Sequence, residues 1–337
     1  MMNYMLRVIR GLSLKRIASC VNEVKEKSGR KSGFLILMDM LICGIRYGAG
    51  FHDYLIFEFY NMNAKERGTY MTRVKNKKLH QLLNDPSKTE LFDQKNLFYA
   101  TFKDFIKRDF QDLSLVSDDD IRDFIREKED IIAKPSEGEC GHGVELIHIP
   151  DFATLDEAVK YIRTSESHFG VIEERVVQHP ELSRLYPYSI NCLRVVTVNW
   201  NDKVSVLYAV LKTGNNKKIV DNLENGGYAC HVDLETGVVV GPGHTSQLDI
   251  EEIHPMTNVK FEGFQVPMMD EVKKLVTEAA KVVPEVRYIG WDVAISNKGP
   301  LIIEGNNYAA YDFPQLPDRS QKKEGLLKQL QDLGIKL

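Results

Sequence analysis

What the chain lacks narrows it first. None of its five cysteines, Cys20, Cys43, Cys140, Cys192 and Cys230, forms a CxxC pair, and their number is odd. That argues for a reduced, cytoplasmic protein rather than a disulfide framework. There is no P-loop, no GxGxxG fingerprint and no visible Ser/His/Asp or Cys/His arrangement. His231 and His244 lack metal-ligand spacing, which argues against zinc. The N-terminus has no clean apolar run before a small-residue cleavage site, so no secretory signal is expected. The best apolar run, Phe34 to Ile45, contains Asp39 and is about a dozen residues, where a bilayer span needs about 20. It reads as a buried helix. There is no excess of basic charge either: the net charge is −4, which excludes nucleic acid as the main partner.

What is present is a soluble globular composition, 43% hydrophobic and 27% charged over 337 residues. That length allows two or three domains with a large core. Charge is uneven. Arg7, Arg10, Lys15, Arg16, Lys25, Lys27, Arg30 and Lys31 face only Glu23 and Glu26 in the first 31 residues. Two readings stand: a solvated helix face, or peripheral contact with an anionic membrane surface or lipid-linked substrate. Leu6, Ile9, Leu12 and Ile17 recur at helical spacing, and residues 1–90 read as a mainly helical N-terminal region.

Near residue 90 the texture changes. "LFDQKNLFYATFKDF" reads as one helix, and "SDDDIRDFIREKED" as another with Ser117 as N-cap. "IIAKP", a Gly-rich loop and "VELIHI" read as a hairpin. "TLDEAVKYIRT" opens on a capping-box pattern, Thr154 with Glu157. "GVIEERVV" reads as a strand. From about 188 the pattern is largely β, interrupted by a helix over 268–283 and closed by a terminal helix. Long β runs with separated helices predict an α+β fold, with subdomains at 91–175 and 176–337.

Three stretches carry candidate chemistry. In "GWDVAISNKGPLIIEGNN" a tight turn at "NKG" joins two strands and sets Asp292 across from Glu304, with Asn306 close by. Such oxygen donors suit Mg²⁺; a salt-bridged Asp292 and a polar loop at Glu304 would be the structural alternative. In "IIAKPSEGECGHGV", Lys134 ends a β-branched run before Gly138, Gly141 and Gly143, with His142 between. The loop either cradles phosphates through backbone N–H groups or is a plain hairpin tip. "VIEERVVQHPEL" offers Glu173, Glu174 and Glu181, as an adenine and ribose contact or an acidic hinge. Asp53, within the aromatic "YLIFEFYNM" region, is flagged as a substrate contact, and Lys212 and Arg287 as phosphate or substrate partners.

Taken in order, "KNLFYATF", "IIAKP", "IEERVVQHPEL", "NCLRVVTV" and "GWDVAISNKGPLIIEGNN" resemble the succession of nucleotide and metal elements in the ATP-grasp superfamily. The chain is most similar to its sugar-transfer-associated group, whose N-terminal signature "YGAGFHDYLIFEFYNMNAKERGTYMT" also resembles. The resemblance implies an ATP-grasp fold of two α+β subdomains, preceded by the helical region. It implies that Lys95 and Lys134 contact ATP phosphates, that Glu174, or Glu173, with the backbone of Val176 meets adenine, and that Glu181 takes the ribose. Asp292, Glu304 and Asn306 would hold Mg²⁺, as two ions, and Arg194 would face the transferring phosphate or a substrate carboxylate. The implied reaction is ATP-dependent ligation of a carboxylate to an amine in polysaccharide biosynthesis, with a hydroxyl kinase or a non-catalytic nucleotide-binding protein as alternatives. Gly305 is expected to free the backbone for a turn after Glu304.

Overall fold

A computed structural model describes residues 14–137, 141–247, 249–317 and 323–337, apart from the side chains of Leu14 and Arg16. Gly138, Cys140, Arg7, Arg10 and the first three apolar positions of the expected N-terminal helix lie outside the described residues. The chain divides into two units: residues up to Leu79 with Ala310–Leu337, and His80–Ala309.

The first unit is helical, as the 3.6-residue periodicity predicts: α1 (Leu14–Ser28), α2 (Gly33–Tyr47), α3 (Phe51–Ile56), α4 (Ala64–Gly68) and most of α5 (Arg73–Leu83), with a terminal helix, Leu326–Asp332. Ser32 caps α2 by accepting from the Leu35 N–H, and Gly48, at φ 69°, ends it in the left-handed conformation that glycine adopts freely. The expectation of a buried helix over Phe34 to Ile45 needs correction. Ile36, Met40, Cys43 and Tyr47 are buried, but Phe34, Leu35, Met38, Ile42 and Ile45 are exposed. One helix can bury only one stripe against one neighbour, and this helix is apolar on two. Asp39 is bound by Arg67 through two hydrogen bonds of 2.7 and 2.8 Å and accepts a third from the Tyr54 hydroxyl at 2.7 Å. Asp53 is buried and accepts from Tyr311 Oη, Gly50 N and Arg73 N. It thus caps α3 and fastens the start of α5.

The second unit holds two antiparallel sheets. The smaller runs β1-β4-β2-β3, from β1 (Phe110–Asp112), β2 (Asp130–Pro135), β3 (Glu145–His148) and β4 (Phe169–Glu174). Its apolar face buries Ile131, Ala133 and Ile172 with Ile121 and Ile125 of α9 (Asp118–Ile125) and Ala158, Val159 and Ile162 of α10 (Leu155–Thr164). α6 (Glu90–Asp93), α7 (Lys95–Thr101) and α8 (Lys103–Ile106) replace the single helix expected over this stretch. The breaks let Phe92, Phe98 and Phe102 cluster around Trp291. Both N-caps form, Ser117 accepting from Asp120 N and Thr154 from Glu157 N, but the capping box read at Thr154 is half made, since the Glu157 carboxylate accepts from Ala153 N instead.

The larger sheet runs β11-β10-β5-β6-β7-β8-β9, from β5 (Leu193–Trp200), β6 (Lys203–Thr213), β7 (Tyr228–Val232), β8 (Val239–His244), β9 (Ile250–Glu251), β10 (Tyr288–Ser296) and β11 (Gly299–Asn306). β1 and β9, of three and two residues, are too short to show a period of two in the sequence. α11 (Pro180–Leu185) and α12 (Met269–Ala279) complete the unit, and Val272, Val276 and Ala279 of α12 join Leu193, Leu211 and Ile302 in one core. Every residue of β10 is buried, and Gly299, at φ 115°, turns the chain into β11.

Asn84 holds the entry to this hairpin. Its Oδ1 accepts from the N–H groups of Arg287 (3.0 Å) and Tyr288 (2.9 Å), and its Nδ2 donates to the carbonyls of Tyr288 (2.9 Å) and Asn307 (2.8 Å). Asn84→Ala would leave these buried groups unpaired, so it should lower unfolding free energy by about 2–4 kcal/mol. Chemical denaturation measures this, and an unchanged midpoint would show the clamp is unimportant.

Candidate active site

The site grows from the register of the larger sheet. Asp292 on β10 lies opposite Glu304 on β11 and opposite Arg194 on β5. Directly opposed residues share a sheet face, so three strands present a carboxylate, a carboxylate and a guanidinium in one row. Asn306 falls two residues beyond Glu304, on that face, and pairs with Gly290. Lys212 on β6 reaches the row, its Nζ donating to Asp292 Oδ2 at 2.9 Å. Arg194 grips Asp292 with two donors, Nε to Oδ1 and Nη2 to Oδ2, the latter at 2.9 Å. A planar guanidinium fits a carboxylate in this two-pronged way. Asp221 stands 3.8 Å from Lys212 and accepts from the Cys192 N–H.

The two acids experience this environment differently. Burial pushes the Asp292 carboxyl up, but Arg194 and then Lys212 outweigh it, and its pKa falls well below the usual carboxylate range. Glu304 goes the other way: burial raises its pKa, the neighbouring Asp292 charge raises it further, and Lys212 and Arg194 offset only part. One acid is compensated and its neighbour is left wanting a cation. Asp292 is salt-bridged, as the structural alternative has it, both its oxygens accepting from Arg194 and Lys212, whereas Glu304 stays within β11 rather than opening a loop. Glu304 and the Asn306 amide oxygen are donors of the kind that suit Mg²⁺. Among the described residues no group of three His, Cys, Asp or Glu side chains converges on a metal position, so remaining ligands would come from the amide, the nucleotide and water.

A second polar cluster is built on the smaller sheet. Glu173, buried on β4, receives Lys134 Nζ of β2 at 2.7 Å, Arg108 Nη2 at 2.8 Å and the Tyr99 hydroxyl of α7. Burial alone would raise the pKa of Glu173; the Arg108 and Lys134 charges win and hold it at about 2. Arg108 also donates to the Ile302 carbonyl of β11 at 2.8 Å. Lys95 opens α7, and its backbone N–H donates to the Ser136 carbonyl just past β2 at 2.9 Å. Burial depresses the Lys95 ammonium; Glu304 opposes this, Lys134 adds to it, and Glu173 opposes it again. The Lys95 ammonium therefore senses both clusters.

The expected residues are thus placed as follows. Lys95, Lys134 and Glu173 come together, as do Arg194, Lys212, Asp292, Glu304 and Asn306. Glu173 and Glu174, neighbours on a strand, point to opposite faces: Glu173 inward to the cations, Glu174 half-buried with Oε2 near the Asp109 N–H, at 3.5 Å. Val176 lies beyond the end of β4 and is half-buried. Glu181 lies in the first turn of α11 and pairs with Arg184 at 3.2 Å. Gly141 and Gly143 take left-handed φ values of 72° and 71°, and His142 between them is exposed. Arg287 donates to the carbonyls of Leu82 and Leu83, and does not join either cluster. Gly305 lies inside β11 and is not among the left-handed glycines. A Cβ there would meet Phe98 at 2.8 Å and Phe92 at 3.0 Å, so ring packing, not a turn, requires glycine. Tyr99 and Arg108 are the members that reading along the chain misses; their partner Glu173 is 74 and 65 residues away, and no local pattern announces such a pairing.

With the geometry in place, the class is clear. The family model for sugar-transfer associated ATP-grasp proteins matches residues 74–334. The chain belongs to this family. No curated protein sequence matches it significantly. Among solved structures it is similar in fold to the ATP-grasp ligase PsnB complexed with minimal precursor, at 15% identity, 74% of this chain, 62% of that one and a TM-score of 0.41. It is also similar to the D-alanyl-alanine synthetase A of Vibrio cholerae, at 12% identity, 69% and 62% coverage and a TM-score of 0.44. The D-cycloserine synthetase DcsG stands at 11% identity, 77% coverage of each chain and a TM-score of 0.45. The chain spans 62% of the length of the first two, and likenesses this distant say nothing of substrate.

Glu173→Gln should strand Arg108 and Lys134 as buried, mutually repelling cations and lower stability by about 3–5 kcal/mol. The sign with pH follows from its depressed pKa. The Glu173 contribution is complete above its ordinary value of 4.5 and is lost as pH falls to about 2. Denaturation midpoints of wild type and variant should therefore converge on acidification; a gap constant down to that limit would contradict the assignment.

Proposed function

We propose that the protein is an ATP-dependent carboxylate–amine ligase. The observation that carries this reading is the row Arg194–Asp292–Glu304, Asp292 buried and the other two half-buried, with Lys212 and Asn306 beside it, in a member of the ATP-grasp family. Residues 91–175 would supply the phosphate-facing lysines and 176–337 the metal side. Lys95 and Lys134 would face the ATP phosphates: the Lys95 ammonium, depressed by burial, would regain stability beside an anion, and Lys134, held by Glu173, would bring a fixed positive charge. Glu174 or Glu173, the Val176 backbone and Glu181 would receive the nucleoside, and Gly138, Gly141, His142 and Gly143 would border its phosphates. Mg²⁺, held by Asp292, Glu304 and Asn306, would neutralise phosphate charge and polarise the γ-phosphoryl group.

In the reaction an oxygen of the substrate carboxylate attacks the γ-phosphorus and the β–γ bond breaks, releasing ADP. The resulting acyl phosphate is attacked at carbon by an amine, the C–O bond to phosphate breaks, and phosphate departs as the nitrogen loses a proton. Arg194 would be positioned for charge on the acyl phosphate oxygens, a role for preorganised donors rather than a covalent nucleophile. The substrate would be a sugar-linked carboxylate or amine from polysaccharide biosynthesis, a reading taken from the family's description as sugar-transfer associated alone.

A panel of amino acids, uronic acids and amino sugars tests this, scored by ATP-dependent phosphate release and product mass. An amide with one phosphate released is expected; phosphate retained on a hydroxyl product would make the protein a kinase instead. Glu304→Gln should lower turnover at least about 100-fold while the far-ultraviolet circular dichroism stays as in wild type; near-wild-type turnover would sink the metal assignment. Lys95→Ala should raise the KM for ATP about tenfold, and an unchanged KM would remove Lys95 from the phosphate site.

A further inference from the structure

The first unit carries an exposed apolar surface to which the proposed function assigns no role. Of the exposed large hydrophobic side chains among the described residues, five lie on α2: Phe34, 70% exposed, Leu35, Met38, Ile42 and Ile45. At about 100° per residue they fall within an arc of roughly 100°. The buried residues Ile36, Met40, Cys43 and Tyr47 fall on the opposite side of the helix. No polar residue interrupts the exposed arc. α2 is therefore anchored by one apolar face and presents another to solvent, and contiguous exposed apolar surface of this kind marks an interaction site.

Charge indicates the occupant. Lys31 is exposed just before the helix and Arg46 near its end, so cations stand at both ends of the stripe. Lys15, Lys27 and Arg30 are also exposed on and after the preceding α1, as is Glu26; Lys27 pairs with Glu23, and Arg30 lies 3.9 Å from Asp39 and donates to the Tyr60 carbonyl. The one acid of α2, Asp39, is turned to Arg67 and Tyr54. Over residues 14–47 the sequence holds seven Lys and Arg against three acids, in a chain of net charge −4. A second copy fits poorly. Pairing the stripes antiparallel sets Arg30 and Lys31 against the second copy's Arg46, and pairing them parallel sets each cation against itself. No described helix is long and apolar enough to cross a membrane, and α2, at 15 residues, is short for it.

We infer that the exposed face of α2 is a peripheral docking surface for an anionic lipid bilayer, with Phe34, Leu35, Met38, Ile42 and Ile45 entering the interface and Lys31 and Arg46 meeting the headgroups. Apolar burial and attraction to acidic lipid act together in such helices, and long basic side chains flank the immersed stripe.

Co-sedimentation of the full chain with phosphatidylcholine vesicles, with and without an equal share of phosphatidylglycerol, tests this. Binding is expected only with phosphatidylglycerol. It should fall about tenfold in Phe34→Glu/Ile42→Glu and by a similar factor in Lys31→Ala/Arg46→Ala. All four side chains are exposed, so thermal unfolding should be unchanged and serves as the folding control. Absence of binding to either vesicle, or equal binding to both, would overturn the proposal. So would a dimer in light scattering that Phe34→Glu/Ile42→Glu dissociates, which would make this face a contact between copies. Unfolding of the glutamate variant is covered by Phe34→Ser/Ile42→Ser, for which retained vesicle binding would likewise overturn it.

Discussion

Two carboxylates facing each other across a buried strand pair form the constraint on which the rest of the second unit depends. Asp292 and Glu304 are fixed opposite one another by the β10–β11 register, Asp292 buried and Glu304 half-buried, and like charges on directly opposed positions away from water repel. Arg194 and Lys212 compensate Asp292. That leaves Glu304 with a raised pKa and the sheet face with an unmet demand for positive charge. Much of the surrounding structure holds this unfavourable pairing in place. Asn84 fastens the start of β10, Gly299 makes the turn, and Phe92 and Phe98 press on Gly305 from α6 and α7.

The second cluster reverses the balance. Around Glu173 there are two cations for one acid, with Lys95 a depressed cation nearby. One side of the site is thus short of positive charge and the other short of negative charge. Under the proposed function a magnesium-bound polyphosphate would supply both, with Glu304 holding the metal and the lysines meeting the phosphate oxygens. In that reading the two sheets would share one chemical task; Arg108 joins them physically by binding Glu173 on β4 and the Ile302 carbonyl on β11.

Much of this was legible in the residues. Apolar, often β-branched runs marked the long strands, and "NKG" between two such runs was enough to set Asp292 against Glu304. Caps at Ser117 and Thr154 carried local signals that folding did not override. What failed to show were features decided by distant partners. The helical stretch after residue 90 breaks because its aromatic side chains pack on Trp291, nearly 200 residues on. Tyr99 and Arg108 enter the site only because β4 brings Glu173 to them. The apolar run from Phe34 looked buried because its composition fits a buried helix; composition does not tell how many faces find a partner.

The central claim is that Glu304, beside the already compensated Asp292, would take a metal that arrives with nucleotide. Calorimetric titration of a non-hydrolysable ATP analogue, with and without Mg²⁺, tests it most directly in wild type and Glu304→Gln. Affinity in the wild type should rise at least about tenfold with Mg²⁺, and most of that gain should vanish in the variant. The same Mg²⁺-dependent gain in both proteins would contradict the account, since the metal would then owe nothing to Glu304.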